Sequence, residues 1–129
     1  MSFLNSLFPK GPDAETNFQL AFEEETKYNN YEKALQYYEK AANQGLSKAQ
    51  YYCGFMYLKG RGTRRNFEKA LELVTKSAKQ NNPYGQYLLA QMYLSGEGVE
   101  KNEELGNEWM EKYNAHNLPN KIILCFHNY

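Results

Sequence analysis

The sequence repeats itself with a period of 36 residues, and this repeat restricts the possible folds more than any other feature. Residues 30–35 (Asn-Tyr-Glu-Lys-Ala-Leu) align with residues 66–71 (Asn-Phe-Glu-Lys-Ala-Leu). A Gly-x-Gly segment at 60–62 recurs at 96–98. Self-similarity at a fixed spacing, without insertions, indicates an array of short units that pack against their neighbours.

Each repeat unit contains two helical patterns separated by a glycine-rich turn. Apolar residues of 49–58 recur at helical spacing, and those of 67–79 form one stripe between charged positions. Gly60 is expected to end the first helix in the left-handed conformation, and Asn66 to cap the second. The sequence therefore predicts an all-α fold of stacked helix hairpins, with uncharged first helices inside and charged second helices outside.

The repeat divides the chain into an N-terminal arm (1–12) and a helical array (13–129). The expected units are 13–47, 48–83 and 84–117, followed by a C-terminal cap at 118–129. Two structures stay open for this cap. Pro119 lies 36 residues after Pro83, which favours a helix, whereas the apolar run at 122–126 is also typical of a strand.

The arm carries four apolar residues that would share one face of a short helix: Phe3, Leu4, Leu7 and Phe8. This segment is expected either to dock on the first unit or to fray. The alternative is that it anchors the chain to a partner or to a membrane.

Composition narrows the functional classes. Fifteen basic residues balance fifteen acidic ones, so the chain lacks the basic excess of a general nucleic-acid or membrane-surface binder. Two Cys and two His are too few for a structural zinc site or a disulfide framework. We see no signal peptide, membrane span or nucleophile–base pair in the sequence. We therefore expect a cytoplasmic protein that is not an enzyme and that uses no metal or cofactor.

The first helices carry more apolar residues than one buried stripe requires. With Cys53 and Met56 in the core, Tyr51 and Phe55 fall on the opposite side of the helix. The predicted protein-binding strip on the concave wall consists of Gln19, Phe22, Tyr51, Phe55, Leu58, Tyr84, Tyr87, Gln91 and Leu94. Aromatic residues at adjacent exposed positions are typical of protein-binding surfaces. The alternative is that these rings fill the space between neighbouring helices.

The same 36-residue shift aligns the first unit with the others. It places Gln19 at the position of Phe55, and Phe22 at the position of Leu58. Residues 13–27 fit the first-helix pattern poorly, so the register of the first helix stays open.

Charge is distributed unevenly along the chain. Residues 1–47 and 84–129 each carry a net charge of −3, whereas residues 48–83 carry +6. The basic residues are densest in one loop, formed by Lys59, Arg61, Arg64 and Arg65. This basic loop indicates an acidic partner or RNA as an alternative ligand, although the balanced total charge does not favour nucleic acid. A solvated loop that improves solubility is the other interpretation.

These residues resemble the Sel1-like repeat (SLR), a relative of the tetratricopeptide repeat. The first half of the family pattern matches at Ala49, Gly54, Met56, Tyr57, Gly60 and Gly62, and again at Met92, Tyr93, Gly96, Gly98 and Val99. The second half matches at Lys33, Ala34, Lys40, Ala41, Ala42, Gln44 and Gly45, and Trp109 stands at the family's Trp position. The resemblance covers roughly residues 30–117.

Two departures from the family pattern matter for the fold. Asn30, Asn66 and Asn102 replace the usual Asp, and Asn caps a helix equally well. Gly106 replaces a core Ala, which is expected to loosen the last outer helix by about 1 kcal/mol.

The resemblance implies a right-handed α-solenoid of about three helix-turn-helix repeats that binds another protein, for example as a bacterial adaptor or scaffold. A narrower alternative is an immunity protein that binds and neutralises a cognate bacterial toxin. RNA or acidic-partner binding through the basic loop is a further alternative. A second copy of the chain also stays open as the partner, and no membrane partner is expected.

Overall fold

The computed structural model describes residues 11–116 of the chain, and these residues form six α-helices of similar length. They are Ala14–Thr26 (α1), Tyr31–Asn43 (α2), Ser47–Lys59 (α3), Phe67–Lys79 (α4), Pro83–Ser95 (α5) and Glu103–Asn114 (α6). No strand occurs between residues 11 and 116. Each helix packs mainly on the next one along the chain, so the prediction of an all-α solenoid is confirmed. The predictions for residues 1–10 of the arm and for the cap at 118–129 lie outside the described residues.

The helix ends follow from the residues that the repeat places there. Asn66 is the N-cap residue of α4, and its side-chain oxygen accepts a hydrogen bond of 3.1 Å from the N–H of Lys69. Asn30 and Asn102 cap α2 and α6 in the same way. The inner helix α3 ends at Gly60, which adopts the left-handed conformation with φ of 70°. The Asn caps and the helix end at Gly60 that the sequence predicts are therefore confirmed.

The inner helices (α1, α3 and α5) and the outer helices (α2, α4 and α6) differ in how they are buried. α3 has buried residues on several of its sides, from Ala49 to Leu58. α4 buries one stripe that includes Ala70, Val74 and Ala78, and its other positions carry most of its charge. The uncharged stretches of α3 (49–58) and α5 thus match their place between neighbouring outer helices.

Small residues allow the two helices of a repeat to cross closely. A Cβ atom on Gly54 would lie 2.7 Å from Cγ2 of Val74 and 3.2 Å from the carbonyl oxygen of Ala70. In the last repeat the glycine is on the other helix, where a Cβ atom on Gly106 would lie 2.6 Å from Cγ of Leu94. Gly106 therefore fits its site, and the expectation that it loosens α6 is not supported by the packing.

The first repeat has a different register from the one that the 36-residue shift predicts. α1 begins at Ala14 and α3 at Ser47, which are 33 residues apart, because the loop between α1 and α2 is three residues shorter than its counterpart after α3. Hydrogen bonds between side-chain amides confirm this alignment. Asn17 donates to Gln44 at 2.9 Å in the first repeat, and Gln80 donates to Gln50 at 2.7 Å in the second.

This register shows that α1 presents polar residues where the other inner helices present core residues. In α3 these positions are almost fully buried and hold Ala49, Cys53, Met56 and Tyr57. In α1 the corresponding residues are Thr16, Leu20, Glu23 and Glu24, none of which is buried. A polar outer face is what a terminal repeat requires, so α1 caps this end of the described stack.

Ion pairs between repeats join the basic middle repeat to its acidic neighbours. Within residues 11–116, each of them joins a cation of the middle repeat to a carboxylate of a flanking repeat. The pairs are Lys48–Glu15, Lys59–Glu97, Arg61–Glu25 and Lys69–Glu39. Glu25 is the least exposed carboxylate of the four, and its second oxygen accepts a hydrogen bond of 2.7 Å from the hydroxyl of Tyr38. The basic middle repeat is thus matched to its acidic neighbours.

We predict that Gly54→Ala lowers the free energy of unfolding by about 1–3 kcal/mol, because the added methyl group collides with the stiff side chain of Val74 and with backbone. Urea unfolding followed by circular dichroism measures the change. Gly11→Ala is the control, since nothing lies within 4 Å of the methyl group that it adds. Equal stability of both variants would show that α3 and α4 do not cross as closely as described.

We also predict that Glu25→Gln lowers the free energy of unfolding by about 1–2 kcal/mol, because it removes charge-assisted bonds to Tyr38 and Arg61. The matched control on the same helix is Glu23→Gln. Glu23 is 49% exposed and pairs only with Lys27, four residues on, so its loss is expected to cost at most about 0.5 kcal/mol. Chemical denaturation of both variants decides whether Glu25 links the first two repeats.

Candidate functional site

Aromatic rings line the side of the inner helices that the outer helices leave uncovered. Phe22 on α1 is 41% exposed and Tyr84 on α5 is 45% exposed, while Tyr51, Tyr52 and Phe55 on α3 are half-buried. We call these five residues the aromatic strip. Four of them were predicted from the sequence, and the structure leaves each of the four at least partly exposed.

The rings of the aromatic strip form one continuous set of contacts across three helices. Ring centroids lie 5.8 Å apart for Tyr51 and Tyr84, 5.3 Å for Tyr51 and Tyr52, and 6.4 Å for Tyr51 and Phe55. Phe18 continues the series, at 5.5 Å from Tyr52 and 6.4 Å from Phe22. Such tilted and edge-on arrangements are favourable for aromatic pairs, so the strip is a preformed surface.

Two residues that the sequence assigned to the strip are buried instead. Leu58 is only 1% exposed and belongs to the hydrophobic core. Tyr87 is 9% exposed, and its ring centroid lies 4.9 Å from that of Tyr113. Tyr113 of α6 stands 36 residues after Ser77 of α4, so a large ring faces α5 where a small side chain faces α3. The space-filling interpretation therefore applies to Tyr87.

The polar and aliphatic members of the predicted strip have separate surroundings. Leu94 is half-buried against the site of Gly106. Gln91 is half-buried, and its side-chain amide donates a hydrogen bond of 3.1 Å to the hydroxyl of Tyr87. Gln19 is exposed on α1, but the corrected register makes Phe22, and not Gln19, the counterpart of Phe55.

A pocket of about 380 Å³ lies at one end of the aromatic strip, and we call it the tyrosine pocket. Its lining residues are Phe18, Lys48, Tyr51, Tyr52 and Tyr84. Three of them, Phe18, Lys48 and Tyr52, were not predicted from the sequence. The 33-residue register would have placed Phe18 at the position of Tyr51, whereas no local pattern distinguishes Lys48 or Tyr52 from other surface residues.

Tyr51 and Tyr52 of this pocket remain protonated at neutral pH. Burial raises the pKa of Tyr51 to about 12, and the nearby hydroxyls of Tyr52 and Tyr84 contribute further to the increase. Burial also raises the pKa of Tyr52. The hydroxyl groups of Tyr51 and Tyr52 are therefore neutral, and each can donate a hydrogen bond.

Part of the positive charge of the basic loop is paired with carboxylates of the same chain. Nζ of Lys59 lies 3.0 Å from a carboxylate oxygen of Glu97, and Arg61 pairs with Glu25. The guanidinium groups of Arg61 and Arg65 also lie above the rings of Tyr31 and Phe67, at 5.0 and 5.5 Å. Arg64 is exposed and pairs with no carboxylate between residues 11 and 116. The loop thus presents less uncompensated charge than its sequence suggests.

Residues 11–116 contain neither a cluster of metal ligands nor an ionised thiol. Cys53 is buried, and its burial raises the thiol pKa to about 12, so the thiol stays protonated. Residues 11–116 contain no group of three or more potential metal ligands. None of the helices in this range has the length and apolar character needed to cross a membrane.

The comparisons with known proteins agree with this repeat geometry. The family model described as Sel1 repeat matches residues 14–46, 47–82 and 83–112. Its first match is three residues shorter than its second, in agreement with the shorter loop between α1 and α2. No curated protein matches the chain significantly.

Two solved structures are similar to the chain. One is a Sel1 repeat protein from Oxalobacter formigenes, with 35% sequence identity and a TM-score of 0.67 over 69% of this chain and 26% of that chain. The other is c5321, a protective antigen present in uropathogenic Escherichia coli strains that displays an SLR fold. It has 25% identity and a TM-score of 0.78 over 81% of this chain and 23% of that chain. The chain therefore spans about a quarter of the length of either protein.

Three consecutive matches to the family model cover most of the chain, and their boundaries coincide with the helix hairpins. The chain belongs to the Sel1 repeat family.

Proposed function

We propose that this chain is a non-catalytic module that binds a segment of a partner protein on the aromatic strip, on the concave wall of the solenoid. The observation that carries the proposal is the continuous set of partly exposed rings on helices that carry no charge between residues 49 and 58 or between 84 and 96. Sel1 repeats generally mediate interactions between proteins, and the family is generally a non-catalytic scaffold.

The composition of the strip favours a protein partner on energetic grounds. Tyr and Phe bury a large area when they are covered, and they lose little side-chain entropy because their neighbours already hold them. Tyr84 is 45% exposed and Phe22 is 41% exposed, so both have apolar area left to bury. Two or three such residues supply most of the free energy at a typical interface.

The strip also lacks charge that would require a charged partner along its whole length. The lysines near its ends are each paired: Lys48 binds Glu15 and Lys59 binds Glu97. Contact along the strip therefore depends on apolar area and on the tyrosine hydroxyls. Binding at the strip is accordingly expected to depend weakly on salt, whereas binding of RNA at the basic loop would depend on it strongly.

The finer predictions about the partner stay predictions. They are that the partner is a toxin or a second copy of the chain, and that the protein is cytoplasmic. The basic loop is a weaker candidate than the strip, because Lys59 and Arg61 already bind carboxylates of neighbouring repeats.

We predict that Phe55→Ala together with Tyr84→Ala weakens partner binding by about 30-fold or more, because each substitution removes a central aromatic anchor. Partners are captured from the native host with the unchanged chain, and the affinity of each captured protein is then measured for both chains by calorimetry. Circular dichroism checks that helicity is retained, and Tyr84→Ala alone provides a milder variant should the double variant lose stability.

The matched control is Tyr28→Ala together with Phe67→Ala. Tyr28 is 56% exposed and Phe67 is 40% exposed, and both lie outside the strip, in the α1–α2 loop and on α4. This control is expected to bind partners as the unchanged chain does. Equal binding by the strip variant and the control variant would place the binding surface elsewhere on the molecule.

A further inference from the structure

The tyrosine pocket presents hydrogen-bond donors that the described chain leaves without acceptors. Other tyrosine hydroxyls are used, since Tyr38 donates to Glu25 and Tyr57 donates to Glu39. The hydroxyls of Tyr51, Tyr52 and Tyr84 donate to no acceptor between residues 11 and 116. Three phenol hydroxyls that can donate hydrogen bonds thus meet at one pocket.

Lys48 adds a cationic donor to the same pocket. Its ammonium nitrogen lies 4.4 Å above the ring centroid of Phe18, which holds it against the pocket wall. An ammonium group has three N–H donors, and only Glu15 accepts one among the described residues. Glu15 is 55% exposed, so this ion pair is weak and its carboxylate is replaceable.

The walls of the pocket are apolar around these donors. Phe18 is 7% exposed and packs edge-on against Tyr52, which also stacks on Tyr38 at 5.3 Å. A group that enters the pocket therefore contacts aromatic faces at its sides and meets phenol hydroxyls and an ammonium group. This combination matches an acceptor-only anion that is attached to an apolar framework.

Resting on the proposed function, we infer that the tyrosine pocket selects partner segments in which an acidic side chain stands between aromatic or aliphatic ones. The carboxylate replaces Glu15 on Lys48 and accepts hydrogen bonds from Tyr51 and Tyr84. The flanking apolar side chains cover the rings on either side. Because the strip continues from the pocket to Phe55 and Phe22, the bound segment extends from the pocket along these rings.

Glu15 determines how strongly the pocket prefers an acid. It neutralises Lys48 in the free protein, so an incoming carboxylate must compete with it. Replacing Glu15 by a neutral residue of the same shape removes this competition and leaves Lys48 with no carboxylate partner among residues 11–116. Glu15→Gln is therefore expected to strengthen binding of an acidic segment, which is the opposite of the usual effect of removing a surface residue.

The test uses two blocked peptides that differ only in charge, acetyl-Gly-Phe-Glu-Phe-Gly-amide and acetyl-Gly-Phe-Gln-Phe-Gly-amide. Each is titrated to millimolar concentration into the full chain, and binding is followed by changes in backbone amide NMR shifts. We expect the Glu peptide to bind about fivefold more tightly than the Gln peptide. The largest shifts are expected at Lys48, Tyr51 and Tyr84.

Four variants then assign the preference to the pocket. Lys48→Met should abolish it, and Tyr51→Phe with Tyr84→Phe should reduce it while keeping the rings. Glu15→Gln should increase it. Lys59→Met is the matched control: Lys59 lies on the same helix, is exposed to a similar extent and also pairs with a neighbouring repeat, yet its loss should leave the preference unchanged.

Equal affinity for the two peptides, loss of the preference in Lys59→Met, or tighter binding of the corresponding Lys peptide would each overturn the inference. Absence of binding by either peptide at millimolar concentration would overturn it as well. If both peptides shift Phe22, Phe55 and Tyr84 without a preference, the inference fails and the aromatic strip remains the binding surface. The proposed function is tested separately by the Phe55→Ala, Tyr84→Ala variant. It fails if that variant still binds the partners as the unchanged chain does.

Discussion

The close crossing of the two helices within each repeat is the constraint on which the rest of the structure depends. At Gly54 and Gly106 the neighbouring helix comes so near that even a methyl group collides with it. The equivalent site of the first repeat holds Ala21, which is fully buried. Since each inner helix turns this small-residue side toward its outer partner, its large aromatic residues are directed to the other side. The aromatic strip is thus a consequence of how the core is built.

Charge has a structural role in the stack. A middle repeat with a net charge of +6 suggests an external anion when only the sequence is considered. In the structure its cations bind carboxylates of both flanking repeats, at Glu15, Glu25, Glu39 and Glu97. Exposed pairs of this kind add little stability individually. Their arrangement nevertheless pairs each acidic repeat with the basic one, which favours this order of repeats over other packings.

Equivalent positions in the repeat have different roles, which limits what the pattern can predict. Tyr51 and Tyr87 occupy equivalent positions of the 36-residue repeat, yet Tyr51 lines the tyrosine pocket and Tyr87 is buried against Tyr113. The difference comes from the facing outer helix, where Ser77 is small and Tyr113 is large. The first repeat differs in another respect. Its shorter loop moves Phe18 into line with Tyr51, which a uniform 36-residue alignment does not reveal.

The sequence by itself determined the repeat, its helices, their caps and their inner or outer positions, because these depend on local spacing and on residues such as Asn66 and Gly60. It also located the four aromatic residues of the strip that remain accessible. Only the tertiary structure decided that Leu58 and Tyr87 are buried, that Lys48 and Tyr52 join the tyrosine pocket, and that the basic loop is partly neutralised. Each of these outcomes depends on a residue of a different helix or loop, distant in the chain and not specified by the local pattern.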